Sequence, residues 1–313
     1  KPRSLTEHLG TGRHYNINSK SGRLHILYSD FANAEWSVYN NDLAAYEENM
    51  ECIEAVKYPY VVIAPSYMIY TQNYDELLKT HIESGADITL LYHSVDNAKE
   101  YYLNCSTLNL NKQKGVLSLE PNHGNAKNRN IFMDTYVMRK DLFMELVKKG
   151  RKISSMFTLN DIVNMACSEL DVRGVSHRGF FASITDFKSY YNANLSLIDM
   201  KNAVTLFDKN WPIYTRTNDS CPTKYYEGAS VKSSVISNGC LIEGTVENSV
   251  IGRGCVIKKG AVVKDSVILP GVVIGEDARI EAQVVDKSAR IVHAKELIAD
   301  PEKPGYVRRN DTL

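Results

Sequence analysis

These 313 residues carry no excess of charge of either sign, no paired cysteine motif and no long apolar run. Lysine plus arginine and aspartate plus glutamate both total 37, which leaves no electrostatic footprint for nucleic acid and no basic face for a membrane. A small neutral partner or another protein fits that balance better. No stretch of about 18 apolar residues is present, and the opening KPRSLTEHLG lacks the apolar centre of a signal peptide. The six cysteines (Cys52, Cys105, Cys167, Cys221, Cys240 and Cys255) include no CxxC pair and no histidine at metal-ligand spacing, so reduced thiols and a cytoplasmic location are expected. The sequence starts at Lys1 in what reads as mid-domain material, and an N-terminal portion is expected to be absent.

From about Tyr60 to Leu197, short apolar runs alternate with amphipathic ones: YVVIA then YDELLKTHIESG, ITLLYHS, IFMDTYVMR then KDLFMELVKKG. Strands that are apolar throughout predict a sheet covered on both faces, hence an α/β domain with a mostly parallel, doubly wound sheet. Further helices are expected at TLNDIVNMACSEL, capped by Thr158 or Asn160, and at DFKSYYNANLSLID. The α/β domain is placed at residues 1–205, a linker at 206–226 and a second domain with a C-terminal tail at 227–313.

That second domain is periodic. Ile251, Ile257, Val263 and Leu269 fall six apart, and Ile274, Ala278 and Ile280 continue the phase after a one-residue slip. Period six makes one flat side of a parallel β-helix, with three sides to a coil of about 18 residues. Gly252, Gly254, Gly260, Gly271 and Gly275 suit its corners. A few such coils leave open edges, which predicts capping or assembly.

RSLTEHLGTG (Arg3 to Gly12), PYVVIAPSYMIYTQNYDELLKTHIESGADITLLYH (Pro59 to His93), FKSYYNANLSLI and SVIGRGCVIKKGAVVKDSVILPGVVIG together resemble the sugar-1-phosphate nucleotidyltransferases, and among them the bacterial glucose-1-phosphate adenylyltransferases of glycogen synthesis. The resemblance implies a Rossmann-like nucleotidyltransferase domain followed by a short left-handed β-helix. It also implies a reaction in which Mg²⁺, held by protein carboxylates, supports transfer of the nucleotidyl group of ATP to glucose 1-phosphate.

The residues that would perform this chemistry are replaced. The loop after YVVIA holds no charge: where the family places a metal-binding aspartate stands Tyr67, between Ser66 and Met68. The second such aspartate falls on Ser183, after Phe181 and Ala182. The family's Glu-Lys-Pro aligns with Leu119, Glu120 and Pro121, so a carboxylate stands where an ammonium would meet phosphate. Its Ser-Met-Gly becomes Phe132, Met133 and Asp134, whose bulk is expected to fill sugar space, and its Gly-Thr-Ala turn becomes Asn41, Asp42 and Leu43. The resemblance therefore implies a chain with no catalytic residues, metal or cofactor of its own. Such a chain is similar to the GlgD-type regulatory subunit, a pseudoenzyme that pairs in a tetramer with a catalytic subunit binding Mg²⁺ and ATP.

Three rival readings remain, one of them a sugar-nucleotide sensor that binds ligand without turnover and that the sequence does not separate from the partner-subunit reading. Asp42, Asp134 or Asp186 would hold Mg²⁺ in an active enzyme of altered substrate, although Asp186 also suits a helix cap. A hexapeptide acyltransferase would need a histidine base, and none occurs from Glu227 to Val292, with His293 just beyond. His81 and His177 read as packing residues; the 19 tyrosines suit interfaces or packing. Lys303, Arg308 and Arg309 form a basic tail that reads as solvated, with contact to an anionic sugar-phosphate effector as the alternative, and the resemblance implies that Arg3 and His8 lie near an effector region.

Overall fold

The computed structural model describes residues 3–10, 12, 15, 17, 24–27, 41–153, 155–209, 211–214 and 219–313, with the side chains of Arg3 and Ser4 outside the description. The chain divides into two units, residues 1–181 and 182–313. After α1 (Arg3–Leu9), α2 (Asp42–Glu48) and α3 (Met50–Glu54), the first unit builds its sheet. Strand β1 (Tyr60–Ile63), β2 (Met68–Tyr70), helix α4 (Tyr74–Ser84) and β3 (Ile88–Val95) follow in order. Then come β4 (Ser106–Leu110), β5 (Val116–Pro121) and the long β6 (Arg129–Arg139). Helices α5 (Lys140–Arg151) and α6 (Leu159–Ala166), strand β7 (Val172–Ser176) and β8 (Phe181–Ser183) complete the run.

Strands β1 and β3, joined through α4, both pair antiparallel with β6 and so run parallel to each other; β7 runs parallel to β3. β4 and β5 add antiparallel strands on the other side. The Rossmann-like parallel set is therefore present, but the sheet is mixed, because β6 is inserted against the direction of its neighbours. Apolar alternation does not encode strand direction, so this insertion was invisible in the pattern.

The sheet is covered on both faces, as its unbroken apolar strands require. Ile88, Leu90, Tyr92, Phe132 and Met138 pack with Phe143, Leu146, Val147 and Ile162 of α5 and α6. Leu91, Ile131, Met133 and Val137 pack on the other face with Leu77 of α4. The helix starts follow local chemistry: Asn73 caps α4, and Thr158 with Asp161 forms a capping box on α6.

The second unit contains α7 (Phe187–Ser196), α8 (Met200–Leu206) and a β-helix running from β9 (Lys224–Tyr225) to β23 (Gly305–Val307). Its boundary lies earlier than the change of sequence style suggests because α7 packs on the helix: Tyr191, Val267 and Val284 form one buried cluster, and the Tyr191 hydroxyl donates to the Asp265 carbonyl at 2.6 Å. Asp186 caps α7 through Ser189, as its position suggested.

Three parallel sheets make the sides of the β-helix. Val246, Val263 and Ile280 stack in register seventeen residues apart, while Val231 lies fifteen before Val246. The expected coil of about 18 is thus shortened at one corner. Ser233, Asn248, Asp265 and Ala282 form a column there, all with positive φ, and this tight left-handed turn leaves five rather than six steps to the next inward position. Ile268 therefore takes the buried place assigned to Leu269, and Leu269 packs against the Tyr191 cluster instead. The tail is structured as well: Arg290 N–H donates to the Asp311 carbonyl and Leu313 N–H to the Arg290 carbonyl, so the last residues close the final coil while Lys303, Arg308 and Arg309 stay exposed.

Two corner glycines separate two physical causes. Gly271 has φ +76 but room for a methyl, whose nearest neighbour would be Ser288 Oγ at 3.4 Å, so Gly271→Ala is expected to cost about 1 kcal/mol from backbone strain alone. Gly252 is closed by space instead, since a Cβ would lie 2.7 Å from Pro270 N, and Gly252→Ala should cost more. Urea unfolding of the two variants checks that ranking.

Candidate functional site

Two of the singled-out positions, Tyr67 and Asp134, meet at an irregularity in β6. Leu91 pairs with Thr135 and Tyr92 with Phe132, so Met133 and Asp134 are extra on the β6 side, and Asp134 takes φ +44. Because the bulge inserts two residues, the faces of β6 keep their alternation on either side of it. The bulge presents Asp134 to the loop between β1 and β2.

That loop and β2 supply hydroxyls. The Tyr67 hydroxyl donates to Asp134 Oδ2, and Tyr70 shares a 2.6 Å hydrogen bond with Thr135 Oγ1. Burial pushes the Tyr67 phenol far above its ordinary range, with the Asp134 charge adding to the shift. Burial also raises the Asp134 carboxyl, the Tyr67 hydrogen bond opposing it. Tyr46 is pushed up to about 12 by burial and by Asp42 and Asp134, and Tyr136 is raised by burial and then Asp134. The Tyr67 phenol thus engages the carboxylate contributed by β6.

The remaining positions have structural roles. Asn41 caps α2 by accepting the Ala44 N–H at 2.9 Å; beside it, Asp42 is raised by burial and then by Asp161. Leu119 is buried, its N–H donating to Asn164 Oδ1, and Glu120 is exposed on edge strand β5, accepting from Ser118 Oγ at 3.2 Å. Phe132 turns into the core and meets Tyr136 edge-on at 5.0 Å. Ser183, on β8 at the start of the second unit, is buried.

Magnesium requires several oxygens in near-octahedral order. Among the described residues no group of three or more His, Cys, Asp or Glu side chains is placed to hold a metal ion. Asp134 has its Oδ2 taken by a phenol and Asp186 is committed to the α7 cap. This donor set does not fit Mg²⁺.

Two features were missed in the sequence. Asn122, one residue past the Leu119–Glu120–Pro121 segment, is buried; its Nδ2 donates to the carbonyls of Ala98, Tyr101 and Tyr102, and its Oδ1 accepts the Gly124 N–H. His177 is a packing residue, yet it has a partner: its Nε2 meets the Thr71 carbonyl at 3.1 Å and its Nδ1 meets His93 Nδ1 at 3.1 Å. Burial lowers both imidazoles. His81 is likewise buried, against Thr89. No spacing announces these pairs, because 84 residues separate the two histidines.

A Rossmann-like α/β unit is thus followed along the chain by a hexapeptide-type β-helix. A family model described as GlmU-like, C-terminal hexapeptide, matches residues 222–306. Over most of its length the chain is similar to glucose-1-phosphate adenylyltransferases. It is 29% identical over 279 residues to that of Clostridioides difficile (strain 630), covering 87% of this chain and 71% of the relative. To that of Bacillus cereus (strain ATCC 10987 / NRS 248) it is 26% identical over 312 residues, covering 97% and 80%. No helix among the described residues is long and apolar enough to cross a membrane.

Proposed function

We propose that this protein is a catalytically silent subunit of glycogen synthesis that modulates a catalytic glucose-1-phosphate adenylyltransferase, the partner that binds Mg²⁺ and ATP and makes ADP-glucose. The observation that carries the reading is the Tyr67–Asp134 hydrogen bond. It puts a neutral phenol where relatives are expected to hold a metal-binding carboxylate, and it engages the nearest carboxylate on β6. Without a metal to hold the charge of the reacting phosphates, several kcal/mol of transition-state stabilisation is lost, and each ~1.4 kcal/mol is tenfold in rate. Glu120 adds a like charge where the sugar phosphate would be held. What such a frame retains is surface, and the open edges of the first β-helix coil are suited to assembly: β9, β10 (Ser230–Lys232) and β11 (Val235–Ile236) each pair on one side only.

Co-expression with a catalytic adenylyltransferase, followed by size-exclusion chromatography with light scattering, tests the partnership. A mixed tetramer is expected. Separate elution of two homo-oligomers at all ratios would refute it.

A further inference from the structure

An open surface pocket of about 500 Å³, whose lining includes neither Tyr67 nor Asp134, is formed by His93, Ser94, Asp96, Asn97, Tyr102 and Asn128, with Val95 between them. We infer that it is a binding site for a neutral pyranoside, a single glycosyl unit without phosphate.

The wall is aromatic. Tyr102 stacks on Phe181 with centroids 5.6 Å apart and planes at 15°, and His93 packs on the same Phe181 at 5.1 Å. Tyr102 holds φ +61, a left-handed conformation that costs a bulky residue about 1–2 kcal/mol. The three carbonyl bonds from Asn122 fix it there. A glycine would take this turn without strain, so a strained tyrosine directs attention to its ring.

The polar groups are mostly acceptors. With His177 Nε2–H given to the Thr71 carbonyl, His177 Nδ1 carries the lone pair, His93 Nδ1–H donates to it, and His93 Nε2 is left as an acceptor. Asp96 adds a carboxylate, and Asn97 and Asn128 add amides that both donate and accept. Such a set suits the several hydroxyl donors of a sugar, whose C–H face rests on the ring of Tyr102. A phosphate would meet the Asp96 charge with no cation in the lining. A bound cation would have Arg129 nearby: it pairs in register with Val95, so their side chains share a face, and its Nε is the one buried side-chain N or O among the described residues without a partner. The lining thus carries one carboxylate, and the Arg129 guanidinium lies on the face of β6 that Val95 shares.

Saturation-transfer NMR and calorimetry with the full chain test the assignment, using methyl α-glucopyranoside, glucose 1-phosphate, adenosine and tetramethylammonium as separate probes. Saturable binding of the glucoside on the order of millimolar is expected, with the other three weaker. Tyr102→Gly, which removes the ring and also the backbone strain, should weaken the glucoside about tenfold. Asn128→Ala should weaken it as well, whereas Asp134→Asn, at the other site, should leave it unchanged. No saturable glucoside binding, preference for any of the other probes, or full affinity in Tyr102→Gly would overturn the proposal. Loss of binding in Asp134→Asn alone would move the sugar to the bulge and overturn it equally.

Discussion

Asn122→Ala is expected to destabilise the first unit by about 3 kcal/mol, since it removes a buried side chain whose bonds hold three carbonyls and one N–H. The loss should be local before it is global. Residues 97–105 owe their shape to this amide, together with the bond from Asn122 N–H to the Cys105 carbonyl at 2.8 Å. Hydrogen exchange should therefore speed up first in that segment, ahead of β3 and β6. Asn122→Asp keeps the shape but turns a donor into an oxygen facing three carbonyls, so it should be no better than alanine. If either variant melted within a degree or so of the parent, Asn122 would not be the clamp described.

Tyr67→Phe is the second large effect, with about 1–3 kcal/mol lost because Asp134 stays buried and loses its donor. Its pH dependence carries the sign. Burial raises the Asp134 carboxyl in the folded state, so its contribution to stability is fully present below the ordinary carboxylate pKa and is lost as pH rises through the raised value. The Tyr67 bond opposes that rise; removing it lifts the carboxyl further and widens the window upward. The penalty of Tyr67→Phe should thus be small in acid, where Asp134 is protonated, and full at neutral pH. Asp134→Asn should abolish the dependence, because a neutral amide oxygen still accepts the phenol. Urea midpoints across pH 4 to 8, on the order of the carboxylate-to-neutral range, measure it. A penalty that grew towards acid would show that the carboxylate is not the group in play.

Much of the fold was legible because local chemistry fixes it. The caps at Thr158 and Asp186, the apolar strands with helices on both faces, and the period-six side of the β-helix all follow from residues near one another in sequence. The departures came from tertiary geometry. A left-handed column at Ser233, Asn248, Asp265 and Ala282 shortens the coil, and β6 pairs antiparallel with β1, β3 and β4. At the site, each position could be singled out in the sequence, but their mutual arrangement could not be read there. Tyr67 and Asp134 are 67 residues apart, and only the two-residue bulge brings the carboxylate to the phenol. Phe132 shows the limit in the other direction: its bulk goes into the core, and Asp134 with Tyr67 occupies the bulge instead.

Pyrophosphate release from ATP and glucose 1-phosphate, measured for this protein alone, for a catalytic adenylyltransferase alone and for the two together, tests the central claim most directly. Background rates alone with a changed rate or apparent affinity in the mixture are the predicted result. Clear turnover by this protein alone, or a mixture indistinguishable from the catalytic subunit by itself, would contradict it.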